Sequence, residues 1–442
     1  MISFVSLFVG FVVGIVNVQL MATAEVDRVE LFLDGQVVAE LREPFSRPVD
    51  LGCEPAPHEL VAVAYDERGR VLSSARQWVN RPRATADLSL LVDGGGDSSP
   101  RTARLVWRAL AGEVPRSVTV TFDGAVLPAP DPQRIELPEH DPAHVHLLRA
   151  DIDFGRGVVA SAEMIVGGPS RVEARSELSA IPLSIEEGAA LPAPEGLAGW
   201  LEAGGLPLEI AAVEDGPVDV VVVGERSVPE ALKRFGRRSR RSRRSRSELP
   251  ATAPAVPSEA PAPVALDVRL RFLWPVATIW TQSAMVANNF LASSSSDEAR
   301  LDLAWLTARH GDWPNWSGTS ERLADAVAVA ALTAAEGNRR RAVVLVLGPS
   351  AKDDSLVTAE ETARFLGRIG VPLHVWSISE TPSPEASRWP APRTIASAAD
   401  LDAAVRDLTA EAARQRIVWV EGAHLPQDVE LGPLAKGIRL AR

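Results

Sequence analysis

The period of the hydrophobic pattern changes along the chain. Over residues 1–82, apolar and polar positions alternate in short runs broken by turns. Val16, Val18 and Leu20 alternate with Asn17 and Gln19, the period of a strand with one buried face. Val29-Glu30-Leu31-Phe32-Leu33 alternates in the same way and ends in Asp34-Gly35, a hairpin turn signal. Further runs at 37–41, 58–65 and 71–79 complete a set of strands at sandwich spacing. A second β-rich stretch covers 83–170. Its strands are expected over 86–92, 103–110, 117–122, 144–153 and 158–166, with turns at Asp93-Gly94-Gly95-Gly96-Asp97 and Asp123-Gly124.

Beyond residue 173 the pattern shifts. A strand is expected over 172–185, a short helix over 196–203 and a strand over 208–213. The run 218–223 is unbroken and rich in valine, the mark of a strand buried on both faces of a parallel sheet. Residues 228–235 have helical potential. The stretch 236–265 is Arg/Ser-rich and then Pro/Ala-rich, so it has little apolar surface to bury and reads as a disordered insertion. Strands then alternate with helices: strands over 268–272, 284–291, 342–347 and 371–378, helices over 297–308, 320–336, 358–369 and 398–415. Short strands are expected at 417–420 and 438–440. This alternation predicts a doubly wound α/β layer. The insertion interrupts that layer at small cost, because loop-closure entropy grows slowly with length.

Two family resemblances follow from particular residues. The first stretch resembles bacterial Ig-like modules through Val29-Glu30-Leu31-Phe32-Leu33-Asp34-Gly35 and Leu60-Val61-Ala62-Val63-Ala64-Tyr65-Asp66. The C-terminal half resembles a von Willebrand factor type A (vWA) domain, and the whole chain resembles bacterial VWFA-related proteins. The carrying residues are Asp219 within the run 218–223, Gly318-Thr319 before Leu323-Ala324-Asp325-Ala326-Val327, Arg339-Arg340-Arg341 leading into 342–347, and Gly370-Val371-Pro372-Leu373-His374-Val375. The expected fold is thus β plus α/β: an Ig-like β-sandwich over 1–82, a second sandwich over 83–170, and a doubly wound, Rossmann-like vWA domain over 171–235 and 266–420. A tail remains at 421–442.

The resemblance implies a cation at the carboxyl edge of the sheet, held by Asp-x-Ser-x-Ser after the first strand, a threonine and a later aspartate. Mg²⁺ needs near-octahedral oxygen ligands. Gly224 stands where the aspartate belongs, with Arg226 and Val228 where the serines belong. A one-residue shift brings only Glu225 and Ser227 into place. Thr319 keeps its position, and Asp353 is the first carboxylate after the 342–347 strand. A vWA fold without a working metal site is therefore expected, with Glu225, Ser227, Thr319 and Asp353 as remnants. Mg²⁺ or Mn²⁺ enters only under the alternative that these four still serve a cation-dependent adhesion module.

Composition changes the picture in a few places. The 442 residues carry a formal charge of −12, with 46% apolar and 24% charged residues, globular values for several domains. A single cysteine excludes an intrachain disulfide and a cysteine-based zinc site. Nine basic residues fall between Lys233 and Arg246. Arg237, Arg238, Arg240 and Arg241 head the densest run, which is suited to phosphates or anionic lipid but has no aromatic residue for base stacking. Trp313 and Trp316 are candidates for an interaction surface, although a tryptophan group packed into the core is the preferred reading. His140, His144 and His146 have spacing open to a metal but more ordinary for an exposed turn. Enzyme signatures are missing from the sequence. Residues 2–24 read as strands rather than an export signal, since no basic residue precedes Arg28. The expected function is non-enzymatic protein binding or adhesion without a cofactor. The expected partner is another protein; nucleic acid is disfavoured, membrane contact is left open and no small-molecule substrate is expected. By family resemblance the setting is the cell envelope or outside the cell.

Overall fold

A computed structural model describes residues 2–6, 11–80, 86–93, 102–109, 115–141, 144–155, 158–167, 178–192, 194–235, 268–277, 290–292, 301–311, 320–381, 383–422 and 424–442. It comprises antiparallel β-sandwich modules and a parallel-sheet α/β unit. In the first module, Ile15–Ala22 pairs with Ile2–Phe4 and Ser46–Asp50. Val16, Val18 and Leu20 are buried while Asn17 and Gln19 are exposed. The facing sheet runs Gln36–Leu41, Arg28–Leu33, His58–Tyr65 and Val71–Val79. Asp34 and Gly35 both have positive φ (51° and 77°), as a tight type I′ hairpin requires.

The second module has the same layout of three strands against four. Ala86–Asp93, Thr102–Ala109 and Ile135–Glu136 face Ala125–Leu127, Ser117–Phe122, Val145–Gly155 and Val158–Gly167. Leu105, Val120, Leu148 and Ile152 meet in its core.

A third antiparallel unit encloses the α/β unit in sequence. Gln415–Glu421 lies between Ile210–Glu214 and Leu178–Ile185, and Ile438–Leu440 adds to Leu178–Ile185. Leu201–Ala203 pairs with Leu206–Pro207 and Val429–Leu431. The segment beyond 420, set apart as a tail from the sequence, therefore contributes strands Val429–Leu431 and Ile438–Leu440. The helix expected over 196–203 gives way to a one-turn 3₁₀ helix at Pro194–Leu197 and the strand Leu201–Ala203. Gly204 and Gly205, both at positive φ, turn that strand back on Leu206–Pro207 instead of extending a helix.

The α/β unit has the strand order Phe290–Ala292, Val268–Ala277, Val218–Gly224, Arg340–Leu347, Leu373–Ser377, Arg393–Thr394, parallel except for Phe290–Ala292. The two central strands are buried at every residue. Side chains alternate between faces. Val221, Val223, Val343, Leu345 and Leu347 pack beneath helices Leu323–Ala335 and Ala359–Arg368. Val220, Val222, Val344 and Val346 pack beneath helices 228–235, Leu303–Gly311 and Ala398–Arg414. Ala359–Arg368 begins with a capping box between Thr358 and Glu361.

Leu323–Ala335 is buried almost all round and rich in alanine, and Phe11 of the first module belongs to the same core. Phe11 of that module meets Phe365 edge to face at 5.5 Å, and Glu54 pairs with Arg364 and Arg368. A buried polar junction joins the second module to the rest. The Arg149 guanidinium donates to Asp151, Glu214 and the Gly337 carbonyl, and Arg339 pairs with Asp151 at 2.7 Å.

Candidate functional site

Strands Val218–Gly224 and Arg340–Leu347 end side by side, at the edge where open α/β sheets place ligands. The first continues through Glu225, Arg226 and Ser227 into helix 228–235. The second continues through Gly348, Pro349 and Ser350 into the loop before Ala359–Arg368.

Glu225 is buried, and its backbone N–H donates to the Val346 carbonyl at 3.0 Å. Its carboxylate accepts from the Ser227 N–H at 2.7 Å, from Ser227 Oγ at 2.6 Å and from the Gly348 N–H at 2.9 Å. Ser227 Oγ in turn accepts from the Ser350 N–H at 3.2 Å. The two strand ends are thus stapled together by the side chains that the sequence offered as cation ligands. A Cβ at position 348 would stand 2.1 Å from Ser227 Oγ and 2.8 Å from Glu225 Oε2, so the staple needs glycine there.

Gly224, where the vWA resemblance would place an aspartate, has no room for a side chain. A Cβ there would stand 2.3 Å from Phe272 Cζ and 2.4 Å from His310 Nε2. Phe272 comes from Val268–Ala277 and His310 from helix Leu303–Gly311, and their rings meet edge to face at 4.9 Å. These two rings fill the volume into which an aspartate would project. The Nδ1 of His310 bonds to the Leu306 carbonyl at 2.7 Å. Burial pulls its pKa down to about 4 against that hydrogen bond, so the ring is neutral at pH 7.

Asp353 is also engaged. Its carboxylate accepts from the N–H groups of Leu323 (2.8 Å), Ala324 (3.3 Å) and Ser355 (3.0 Å) and from Ser355 Oγ (2.5 Å). The residue before helix Leu323–Ala335 is Arg322, whose side chain makes no cap. Asp353 supplies the missing acceptor from a distant loop. Asp325, fully buried in the first turn, holds the same loop by accepting from Leu356 and Val357 N–H and pairing with Arg322. Burial raises the Glu321 carboxyl to about 7; the charges of Glu225 and Asp353 add to this, and Arg226 opposes it.

Of the four residues expected as remnant ligands, the structure joins Glu225 to Ser227 and commits Asp353 to capping a helix. Thr319, Trp313, Trp316 and Arg237, Arg238, Arg240 and Arg241 lie outside the described residues. Among the described residues, no three His, Cys, Asp or Glu side chains converge in a metal-binding group. His144 bonds to Asp141 and His146 to Asp123, while His140 bonds to the Pro138 carbonyl and packs on Phe122. The sequence reading missed Phe272, Glu321 and the part played by His310. The signal was present in Gly224 and Gly348, glycines that end two apolar strands and mark close approach. Beside the strand ends Arg226 is exposed, and in the loop that follows Gly348 Lys352 and Leu356 are exposed, Leu356 to 63%. No described helix is long and apolar enough to cross a membrane.

No protein-family model and no curated protein matches the chain. Among solved structures, the chain is similar to fibronectin(III)-like modules of Clostridium thermocellum CbhA, at 20% identity over 18% of this chain and 93% of that one, with a TM-score of 0.17. It is also similar to the central fibronectin-III array of RIM-binding protein, at 11% identity over 47% of this chain and 78% of that one, with a TM-score of 0.21. At such scores neither likeness bears on function.

Proposed function

We propose that this protein is a non-enzymatic binding protein, in which β-sandwich modules of Ig-like or fibronectin-like kind accompany a vWA-like α/β domain whose cation site has been converted into packed structure. The observation that carries the reading is the fate of the cation position. Phe272 and His310 fill the space beside Gly224, and every polar contact of Glu225 noted above is internal to the protein. A carboxylate that already accepts three hydrogen bonds is poorly placed to give them up to a hydrated cation. Recognition then falls to the surface over the filled site. Arg226, Lys352 and Leu356 offer it two cations and an exposed aliphatic anchor.

One observation favours the cation-dependent alternative. Glu321 lies within electrostatic reach of Glu225 and Asp353, and a cation would relieve that repulsion.

The test is partner retention by the immobilised full-length chain, with EDTA in one arm and Mg²⁺ in the other. The expected result is one partner retained equally in both arms and lost with Arg226→Glu or Leu356→Asp. A partner retained only with Mg²⁺, or indifferent to both substitutions, would overturn the reading.

A further inference from the structure

A cavity of about 270 Å³ lies where the first module, the third antiparallel unit and the α/β unit meet. It is independent of the carboxyl edge of the sheet and of the function proposed there. Glu336 and Arg341 line it from the α/β unit. Glu336 follows the last residue of helix Leu323–Ala335, and Arg341 stands at the start of strand Arg340–Leu347. The other two units bring apolar groups. Trp78 comes from strand Val71–Val79, half-buried, on the side of that strand opposite the buried Gln77 and Val79. Leu425 comes from the third unit. Ligand pockets favour such junctions, and this volume suits a free metabolite rather than a polymer.

Glu336 and Arg341 share this cavity without pairing. The charge that acts on Arg341 is that of Asp219, and those that act on Glu336 are Arg271, 3.9 Å away, and Asp219. Arg341 is 2% exposed. Its Nε donates to the Gly370 carbonyl at 3.0 Å and its Nη1 to the Ala335 carbonyl at 3.4 Å. Its Nη2 has no hydrogen-bond partner among the described residues and is not sealed in, so the cavity is the space it faces. Neither carboxyl oxygen of Glu336 has a hydrogen-bond partner among the described residues, and the side chain keeps 19% of its surface accessible. The two other basic groups of the lining are engaged: Arg76 pairs with Glu59 at 2.7 Å, and the His424 ring bonds to the Glu421 carbonyl at 3.0 Å. Burial pulls the Arg341 guanidinium down to about 10 and pushes the Glu336 carboxyl up to about 7, each the mark of a charge short of counter-charge. Such a charge costs stability until an opposite one reaches it.

We infer that this cavity binds a free α-amino acid with an aliphatic side chain, its carboxylate on Arg341 Nη2, its ammonium on the Glu336 carboxylate and its side chain against Trp78 and Leu425. A zwitterion brings both counter-charges at once, and a contact between guanidinium and carboxylate is a strong, charge-assisted hydrogen bond. The ammonium would also lie at the carbonyl end of helix Leu323–Ala335, the end that favours a cation. The indole and the leucine offer apolar surface to the aliphatic part.

The test is isothermal titration of the 442-residue protein with L-leucine, L-isoleucine and L-valine at pH 8, where Glu336 is mostly ionised. At least one amino acid is expected to bind with one-to-one stoichiometry. Its deaminated and decarboxylated analogues (4-methylpentanoate and isoamylamine in the case of leucine) each lack one charge. Both should bind about tenfold more weakly or not at all. Glu336→Gln keeps the shape of the side chain and should weaken the amino acid about tenfold, while the deaminated analogue binds no worse than before. The analogues make the same deletions on the ligand, so they decide the matter if that variant fails to fold. Three results would overturn the inference: no binding of any of the amino acids at millimolar concentration, a singly charged analogue bound as tightly as its amino acid, or undiminished binding by folded Glu336→Gln.

Discussion

Gly224 and Gly348 show how a single missing side chain can decide what a strand edge does. Each ends a fully buried strand, and at each a Cβ would collide with groups that hold the edge together. Placing the aspartate of the vWA pattern here with Gly224→Asp should therefore not create a cation site. It should force Phe272 and His310 aside and bury a carboxylate against them, costing about 3 kcal/mol in urea unfolding. A variant as stable as the parent would mean that the pocket beside Gly224 is open. The departure from the vWA pattern after residue 223 was legible in the sequence. The filling was not, because Phe272 and His310 lie 48 and 86 residues downstream of Gly224 and no local spacing brings them there.

At the scale of elements, alternation and apolar runs carried most of the information. The strand Ile15–Ala22 follows from its period of two, and the two central parallel strands follow from unbroken valine-rich runs. The antiparallel pairing of Ile210–Glu214 with Gln415–Glu421 was not legible. Those strands are some two hundred residues apart, and their register depends on what lies between them. The helix expected from 320 begins instead at Leu323, where its first N–H groups meet the Asp353 carboxylate. Asp353→Ala should remove those acceptors and the tie to Ser355, lowering stability by about 2 kcal/mol in urea unfolding. A loss no larger than that of an exposed substitution would show that Asp353 is free for another role.

For the molecule as a whole, the buried junction around Arg149 matters most. Three carboxylates (Asp151, Glu163 and Glu214) stand near two guanidinium groups, Arg149 and Arg339. Glu163 is the group left least well paired, 3.9 Å from Arg149. Burial raises its pKa to about 7; Asp151 and Glu214 add to this, and the two arginines oppose it. An acid whose folded pKa lies above its unfolded value binds the extra proton in the folded state. Its contribution is present below the unfolded pKa of about 4.5 and is lost as pH rises through about 7. Glu163→Gln should therefore change little at pH 4.5 and stabilise the protein by about 2 kcal/mol at pH 8, read from urea unfolding at the two pH values. Equal effects at both would place the proton elsewhere. The same junction couples the second module to the α/β unit, so its failure at high pH should loosen both together.

The most direct test of the proposed conversion of a cation site is isothermal titration of the 442-residue protein with Mg²⁺ and with Mn²⁺. With Glu225 and Asp353 committed to internal hydrogen bonds and the space beside Gly224 filled, neither ion should give a stoichiometric isotherm at millimolar concentration, and Thr319→Ala should change nothing. One-to-one binding below millimolar, abolished by Thr319→Ala, would contradict the account.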